Sequence, residues 1–254
     1  MKIIRPTTLL MCLALFLLPG MVAFGKEPTN HEPVDAPQSI LFVGNSFTFY
    51  NNSIYSHLRK FLFAEDPATR QEIFLKSMTI SGAVLADHRG GLQQMLESRP
   101  WEVIVLQGHS REAIDPTLAP AFQPVVHEFS EKIRSKGAEP VLFMTWAYAD
   151  RPDMTDKLVR AYTRLGEASG IRVIPVGLAF AQARKQINDV RLHDADNVHP
   201  SLEGTYLAAA VFYSALYGKS PLELGYEAGM DGTLARQLRG VAWKTVSDYS
   251  GKTD

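Results

Sequence analysis

A chain of 254 residues with 46% hydrophobic side chains can form one large domain or two small ones, with a core that needs no disulfide or metal to hold it. Its formal charge of −1, from 26 basic and 27 acidic side chains, gives no electrostatic reason to expect nucleic acid or an anionic lipid surface as a partner. The single cysteine excludes an internal disulfide framework.

Residues 1–25 read as a cleavable secretory signal peptide. Lys2 and Arg5 precede an apolar stretch from Leu9 to Leu18, a Pro19-Gly20 break follows, and small residues Ala23 and Gly25 stand before Lys26. The apolar stretch is shorter than the ~20 residues of a membrane-spanning helix. Cleavage would remove Cys12 with Lys2 and Arg5, leaving a secreted or periplasmic protein without a membrane anchor. Residues 26–38 are proline-rich, polar and aperiodic, and read as a flexible leader.

From residue 39 the pattern alternates. The apolar run Ile40-Leu41-Phe42-Val43 stops at Gly44-Asn45-Ser46, as a buried parallel strand over 39–44 feeding a tight turn would. A helix is expected over 54–64, with Leu58, Phe61 and Leu62 on one face, then a strand over 72–80 and a helix over 84–97. Residues 103–106 form the third strand, 122–136 a helix stopped at Gly137, and 140–145 the fourth strand. A helix over 153–168, a strand over 172–176 and a helix over 177–188 complete the alternation. A polar loop leads to Pro200-Ser201, with Pro200 suited to the first position of a helix running to Tyr217. Residues 206–217 are apolar almost all round, so that helix should be deeply packed. A last helix is expected over 233–249. With no internal repeat, residues 39–254 read as a single three-layer α/β/α domain with a five-stranded parallel sheet in order 2-1-3-4-5 and a C-terminal helical extension.

Ligands of such sheets bind outside the carboxyl ends of the strands, where Ser46 falls. On that stretch alone a turn or helix cap is the first reading of Asn45 and Ser46. A serine nucleophile needs a base, and an imidazole oriented by a carboxylate supplies one. Asp196 and His199, three apart in the loop before the Pro200 helix, offer that pair. The same loop holds His193 and Asp194, which with Asp196 and His199 could instead ligate a metal.

Gly44-Asn45-Ser46-Phe47 resembles the first block of the SGNH/GDSL hydrolases, with Asn45 where that family usually has aspartate, and Asp196-Asn197-Val198-His199 resembles its last block. The resemblance spans about residues 39–218 and is nearest to a secreted branch carrying Gly-Asn-Ser-Phe-Thr and His-Pro-Ser. It implies an SGNH hydrolase fold and a Ser46, His199, Asp196 triad acting on small acyl esters, O-acetyl groups on glycans among them, with no metal or organic cofactor. It also implies an oxyanion hole built from Ser46, from Gly82 just past the second strand, and from a third block. That block normally reads Gly-x-Asn-Asp and here reads Gln107-Gly108-His109-Ser110, so Gln107 and His109 are joint candidates for the side-chain donor. The unusual block keeps a non-catalytic carbohydrate-binding protein of the same fold as the alternative. Trp146 and Tyr148, just after the fourth strand, are candidates for a substrate rim, with core cover the competing reading for Trp146. His31, His57, His88 and His127 have no partner at a telling spacing.

Overall fold

The computed structural model describes Met1 and residues 34–251. The signal-peptide reading, Cys12 and His31 fall outside these residues.

Strands β1 (Ser39–Gly44), β2 (Phe74–Thr79), β3 (Val103–Leu106), β4 (Glu139–Phe143) and β5 (Arg172–Ile174) form one parallel sheet in the order β2-β1-β3-β4-β5, as the alternation predicted. Because strand side chains alternate, β1 feeds two cores. Ile40 and Phe42 pack with Val103, Val105, Val141 and Phe143 beneath helices α2 (Ile54–Glu65), α6 (Val176–Gln186), α7 (Leu202–Tyr217) and α8 (Gly232–Tyr249). Leu41 and Val43 pack with Ile104, Leu106 and Leu142 beneath α3 (Arg89–Ser98), α4 (Ala119–Ser135) and α5 (Met154–Ser169). The one-turn helix α1 (Ser46–Phe49) follows β1 directly. Helix α7 is enclosed nearly all round, which accounts for its lack of a polar face. Among the described residues no helix is long and apolar enough to cross a membrane.

The differences from expectation have local causes. The second strand begins at Phe74 because Asp66 caps a 3-10 turn over Pro67–Gln71, its side chain accepting from the Ala68 N–H. The fifth ends at Ile174 because Pro175 has no N–H for a ladder, and α6 starts at Val176. The helix over 84–97 opens as a 3-10 turn, Leu85–His88, before α3. Pro200 does not occupy the first position of its helix. Ser201 is the cap, its hydroxyl accepting from the Gly204 N–H, and Pro200 pairs with His193 in an isolated antiparallel bridge.

The end of the stretch read as a flexible leader is docked. Val34 N–H donates to Glu139, Ala36 N–H to the Leu216 carbonyl and Gln38 N–H to Glu102, while Tyr217 O–H donates to the Pro37 carbonyl. Residues 26–33 lie outside the described chain.

Candidate active site

Strand β1 ends at Gly44, a position where nothing larger fits. A Cβ there would stand 2.3 Å from Gln107 Oε1 and 2.7 Å from Thr48 Oγ1. The next residue, Asn45, caps α1 and is 2% exposed, and every polar group of its amide is used. Its Oδ1 accepts from Phe47 N–H at 3.1 Å and from Gln107 Nε2 at 2.8 Å, and its Nδ2 donates to the carbonyls of Ala83 at 3.0 Å and Gly108 at 3.4 Å. An aspartate could not donate to those two carbonyls, so the departure from the family's first block is fitted by its surroundings. Asn45→Asp would set a buried carboxylate against two carbonyl oxygens and is expected to cost about 1–3 kcal/mol of stability. Chemical denaturation would check this, and an unchanged midpoint would contradict it.

Ser46 opens α1, and its Oγ lies 2.9 Å from His199 Nε2. His199 Nδ1 is hydrogen-bonded to Asp196 Oδ2. A carboxylate only accepts, so Nδ1 carries the ring proton and Nε2 is free to accept from the serine hydroxyl. The three side chains, 153 residues apart at the extremes, are therefore in a serine, base, acid order.

The hairpin that carries Asp196 and His199 is closed by backbone hydrogen bonds. Asp194 N–H donates to the His199 carbonyl, Asn197 N–H to the Asp194 carbonyl and Ser201 N–H to the Leu192 carbonyl. Asp196 Oδ1 accepts from the N–H groups of Val198 and His199, each at 2.9 Å. Slight burial pushes the Asp196 carboxyl up, but the hydrogen bonds from the His199 side chain and these two N–H groups outweigh it and hold the pKa down to about 2. The hairpin docks on the loop after β4 through Ala149 N–H to the Asn197 carbonyl, Trp146 Nε1 to the Val198 carbonyl and His193 Nε2 to the Ala147 carbonyl.

A cleft of about 200 Å³ opens at Ser46, lined by Ser81, Gly82, His109, Ser110, Tyr148 and His199 among others. Gly82, which lines the cleft, has φ +69°, a backbone conformation that few residues other than glycine adopt readily. His109 stands in the cleft, its pKa lowered by burial and by nearby Arg111 against a smaller opposing effect of Asp115, which favours a neutral ring. Ser110 Oγ lies 2.7 Å from Tyr148 Oη and 3.4 Å from His109 Nδ1. When the Ser110 hydroxyl is turned toward Nδ1, the proton of neutral His109 sits on Nε2, where it can be donated.

The structure separates Gln107 from His109. Gln107 is 1% exposed and lies beneath the cleft, its Oε1 accepting from Asn45 N–H and Thr48 O–H and its Nε2 donating to Asn45 Oδ1 and the Gly108 carbonyl. Its amide holds the turn together and is not presented to a ligand. Trp146 is not at the rim either. It is fully buried, stacked between Phe47 at 4.1 Å and Phe180 at 4.3 Å with nearly parallel rings. Tyr148 does line the cleft. Of the possible metal cluster, His193 is bound to the Ala147 carbonyl, and among the described residues no three His, Cys, Asp or Glu side chains gather as a metal site.

Sequence reasoning passed over Glu112. Its buried carboxylate accepts from His109 N–H at 2.7 Å and Leu85 N–H at 3.0 Å, joining the loop after β3 to the one that carries Gly82. Burial raises its pKa, partly offset by those two N–H groups. No motif marks it, because its partners are backbone groups.

No family model matches the chain, and no curated protein does. Solved structures do. A DUF4886 family protein from Bacteroides uniformis is 18% identical, with a TM-score of 0.63 over 84% of this chain and 95% of the other. A protein from Slackia heliotrinireducens described as a candidate SGNH hydrolase is 27% identical, with a TM-score of 0.57 over 69% of this chain and 96% of its own. An acetyl xylan esterase from Geobacillus stearothermophilus is 15% identical, with a TM-score of 0.55 over 70% and 94%. The fold of this chain is that of the SGNH hydrolases.

Proposed function

We propose that this SGNH-fold chain is a secreted or periplasmic serine esterase that removes small acyl groups, with O-acetylated glycans as the substrate class. The observation that carries the reading is the His199 Nε2 to Ser46 Oγ distance of 2.9 Å with Asp196 behind the ring. In the reaction Ser46 Oγ attacks the ester carbonyl while His199 takes its proton, and the protonated ring then gives that proton to the leaving alcohol. Water repeats the sequence on the acyl-serine and regenerates the hydroxyl. The oxyanion is met by the N–H groups of Ser46 and Gly82 and by the His109 ring.

The small volume of the cleft supports a short acyl group, since sites for drug-sized ligands occupy roughly 300–1,000 Å³. An acetyl xylan esterase among the structural neighbours supports acetyl as that group, and the signal-peptide reading supports an extracytoplasmic substrate.

The test is hydrolysis of p-nitrophenyl acetate and of acetylated xylan by the purified protein, with and without a chelator. Turnover should survive chelation, and loss restored by a divalent ion would turn the reading toward a metal hydrolase. The pH profile carries a sign. Asp196, with its folded pKa below its ordinary value, gives its stabilising pairing in full above the ordinary carboxylate range and loses it as pH falls through about 2. It therefore stays ionised wherever the protein is assayed. Activity should fall on acidification with the unit slope of one protonation, that of the base, and a slope of two would contradict this.

A further inference from the structure

One face of the His199 ring is covered by Tyr50. The Tyr50 ring lies parallel to the imidazole, 4.3 Å between centroids and 8° between planes. Phe47 meets the same imidazole edge-on at 6.1 Å. With Asp196 on Nδ1 and Ser46 on Nε2, the ring is restrained on four sides, and Tyr50 is the one contact of the four that neither the first nor the last sequence block predicts. It does not line the cleft around Ser46.

Tyr50 is held where it is by an expensive piece of backbone. It ends α1, with its N–H donated to the Ser46 carbonyl at 3.1 Å, so nucleophile and aromatic ring share one helical turn. The next three residues, Asn51, Asn52 and Ser53, have φ of 49°, 69° and 70°, a run of left-handed positions without a glycine. Asn51 then reaches across to the base. Its Nδ2 donates to the Pro200 carbonyl at 2.8 Å, one residue past His199, and to Thr205 Oγ1 at 2.9 Å. Its own carbonyl accepts from His57 Nε2 at 2.7 Å, and His57 Nδ1 accepts from Tyr226 O–H at 2.8 Å. Burial lowers the pKa of His57, opposed in part by the Asn51 carbonyl, in keeping with a neutral ring that donates on one side and accepts on the other.

We propose that Tyr50 is a positioning residue for the catalytic base, its ring fixing the His199 imidazole toward Ser46 and stabilising it when protonated, with the left-handed run at residues 51–53 and the Asn51 to Pro200 bond as the anchor. The inference rests on the serine-esterase reading. His torsions about the ring bond are broad, and the Asp196–His199 pair sits on a partly exposed hairpin, so a flat ring on one face removes a freedom the hairpin leaves open. An aromatic face also attracts the imidazolium formed during acylation. Of the other ionisable groups around it, Asp196 bonds the ring from its own hairpin, which also carries His193 and Asp194, and His109 and Tyr148 line the same cleft, while the ring contacts of His199 are with Tyr50 and Phe47.

The experiment compares Tyr50→Phe, Tyr50→Leu and Ser46→Ala with the unmodified protein on p-nitrophenyl acetate across pH 5–9, with thermal melts to confirm folding. Tyr50→Leu should lower kcat roughly tenfold with little change in KM, and should move the acid limb down by ~0.5 pH unit as the protonated ring loses its partner. Tyr50→Phe keeps the ring and should restore both. Asn51→Ala, which leaves the ring but cuts its anchor, should lower kcat in the same direction. If Ser46→Ala abolishes turnover while Tyr50→Leu leaves both kcat and the acid limb in place, the Tyr50 inference alone fails. A change in KM alone would also overturn it, making Tyr50 a substrate contact. If Ser46→Ala leaves turnover unchanged, the esterase reading itself fails.

Discussion

Ser46→Ala is expected to lower kcat/KM for p-nitrophenyl acetate by ~10⁴-fold or more while leaving the melting temperature near that of the unmodified protein. The size of the loss follows from the role proposed for Ser46. Without the hydroxyl no acyl-enzyme forms, and only the binding groups and oxyanion donors remain to assist attack by water. The mildness toward folding follows from the surroundings. Ser46 Oγ has His199 Nε2 as its hydrogen-bond partner, and removing the hydroxyl frees a ring nitrogen that faces the cleft and can be met by solvent. The backbone of α1 is held by the Asn45 cap, not by the serine side chain. A large loss of stability in this variant would mean that Ser46 is a structural cap after all, and retention of most of the activity would remove it as nucleophile.

Trp146→Ala is expected to have the largest effect on stability of any change near the site, about 3–5 kcal/mol for a buried tryptophan, or a drop in melting temperature of about 10 °C. The indole fills the space between Phe47, next to Ser46, and Phe180 on α6. Its Nε1 donates to the carbonyl of Val198, the residue before His199. Truncation leaves a cavity, two aromatic faces without a partner and a carbonyl without a donor, in a place that ties together the ends of β1 and β4 and the hairpin of Asp196 and His199. Activity should fall with stability and recover in part in Trp146→Phe, which refills most of the volume without the donor. Weaker substrate binding with an unchanged melting temperature would return Trp146 to the rim.

The fold was readable because its signals are local and periodic. Short apolar runs ended by Gly, Asn or Pro, alternating with helical patterns, give the strand count, and the handedness of crossovers with the family resemblance gives the order that the sheet has. The pairing of Asp196 with His199 was readable because both stand on one short loop. What was not readable depends on three-dimensional partners. Whether Gln107 or His109 faces the cleft turns on Asn45 and Thr48, which lie some sixty positions earlier and capture the Gln107 amide. Glu112 and Asn51 act on backbone carbonyls and N–H groups, which carry no residue signature. Trp146 and Tyr148 are two apart after β4 and point to different environments, one into the core and one into the cleft, and composition cannot distinguish them.

Asn45 shows how a departure from a family pattern can be structural. As a neutral amide it donates to Ala83 and Gly108, and those two loops carry Gly82 and His109. The residue beside Ser46 thereby sets the spacing of the groups proposed to receive the oxyanion, and Glu112 repeats the link from the other side.

The central claim is that Ser46 is a nucleophile activated by His199, and covalent labelling tests it most directly. Intact-mass and peptide analysis after incubation with a fluorophosphonate should show one adduct, on Ser46, formed rapidly in the unmodified protein, slowly in His199→Ala and not at all in Ser46→Ala. No adduct on the folded, unmodified protein, or an adduct on another residue, would contradict the account.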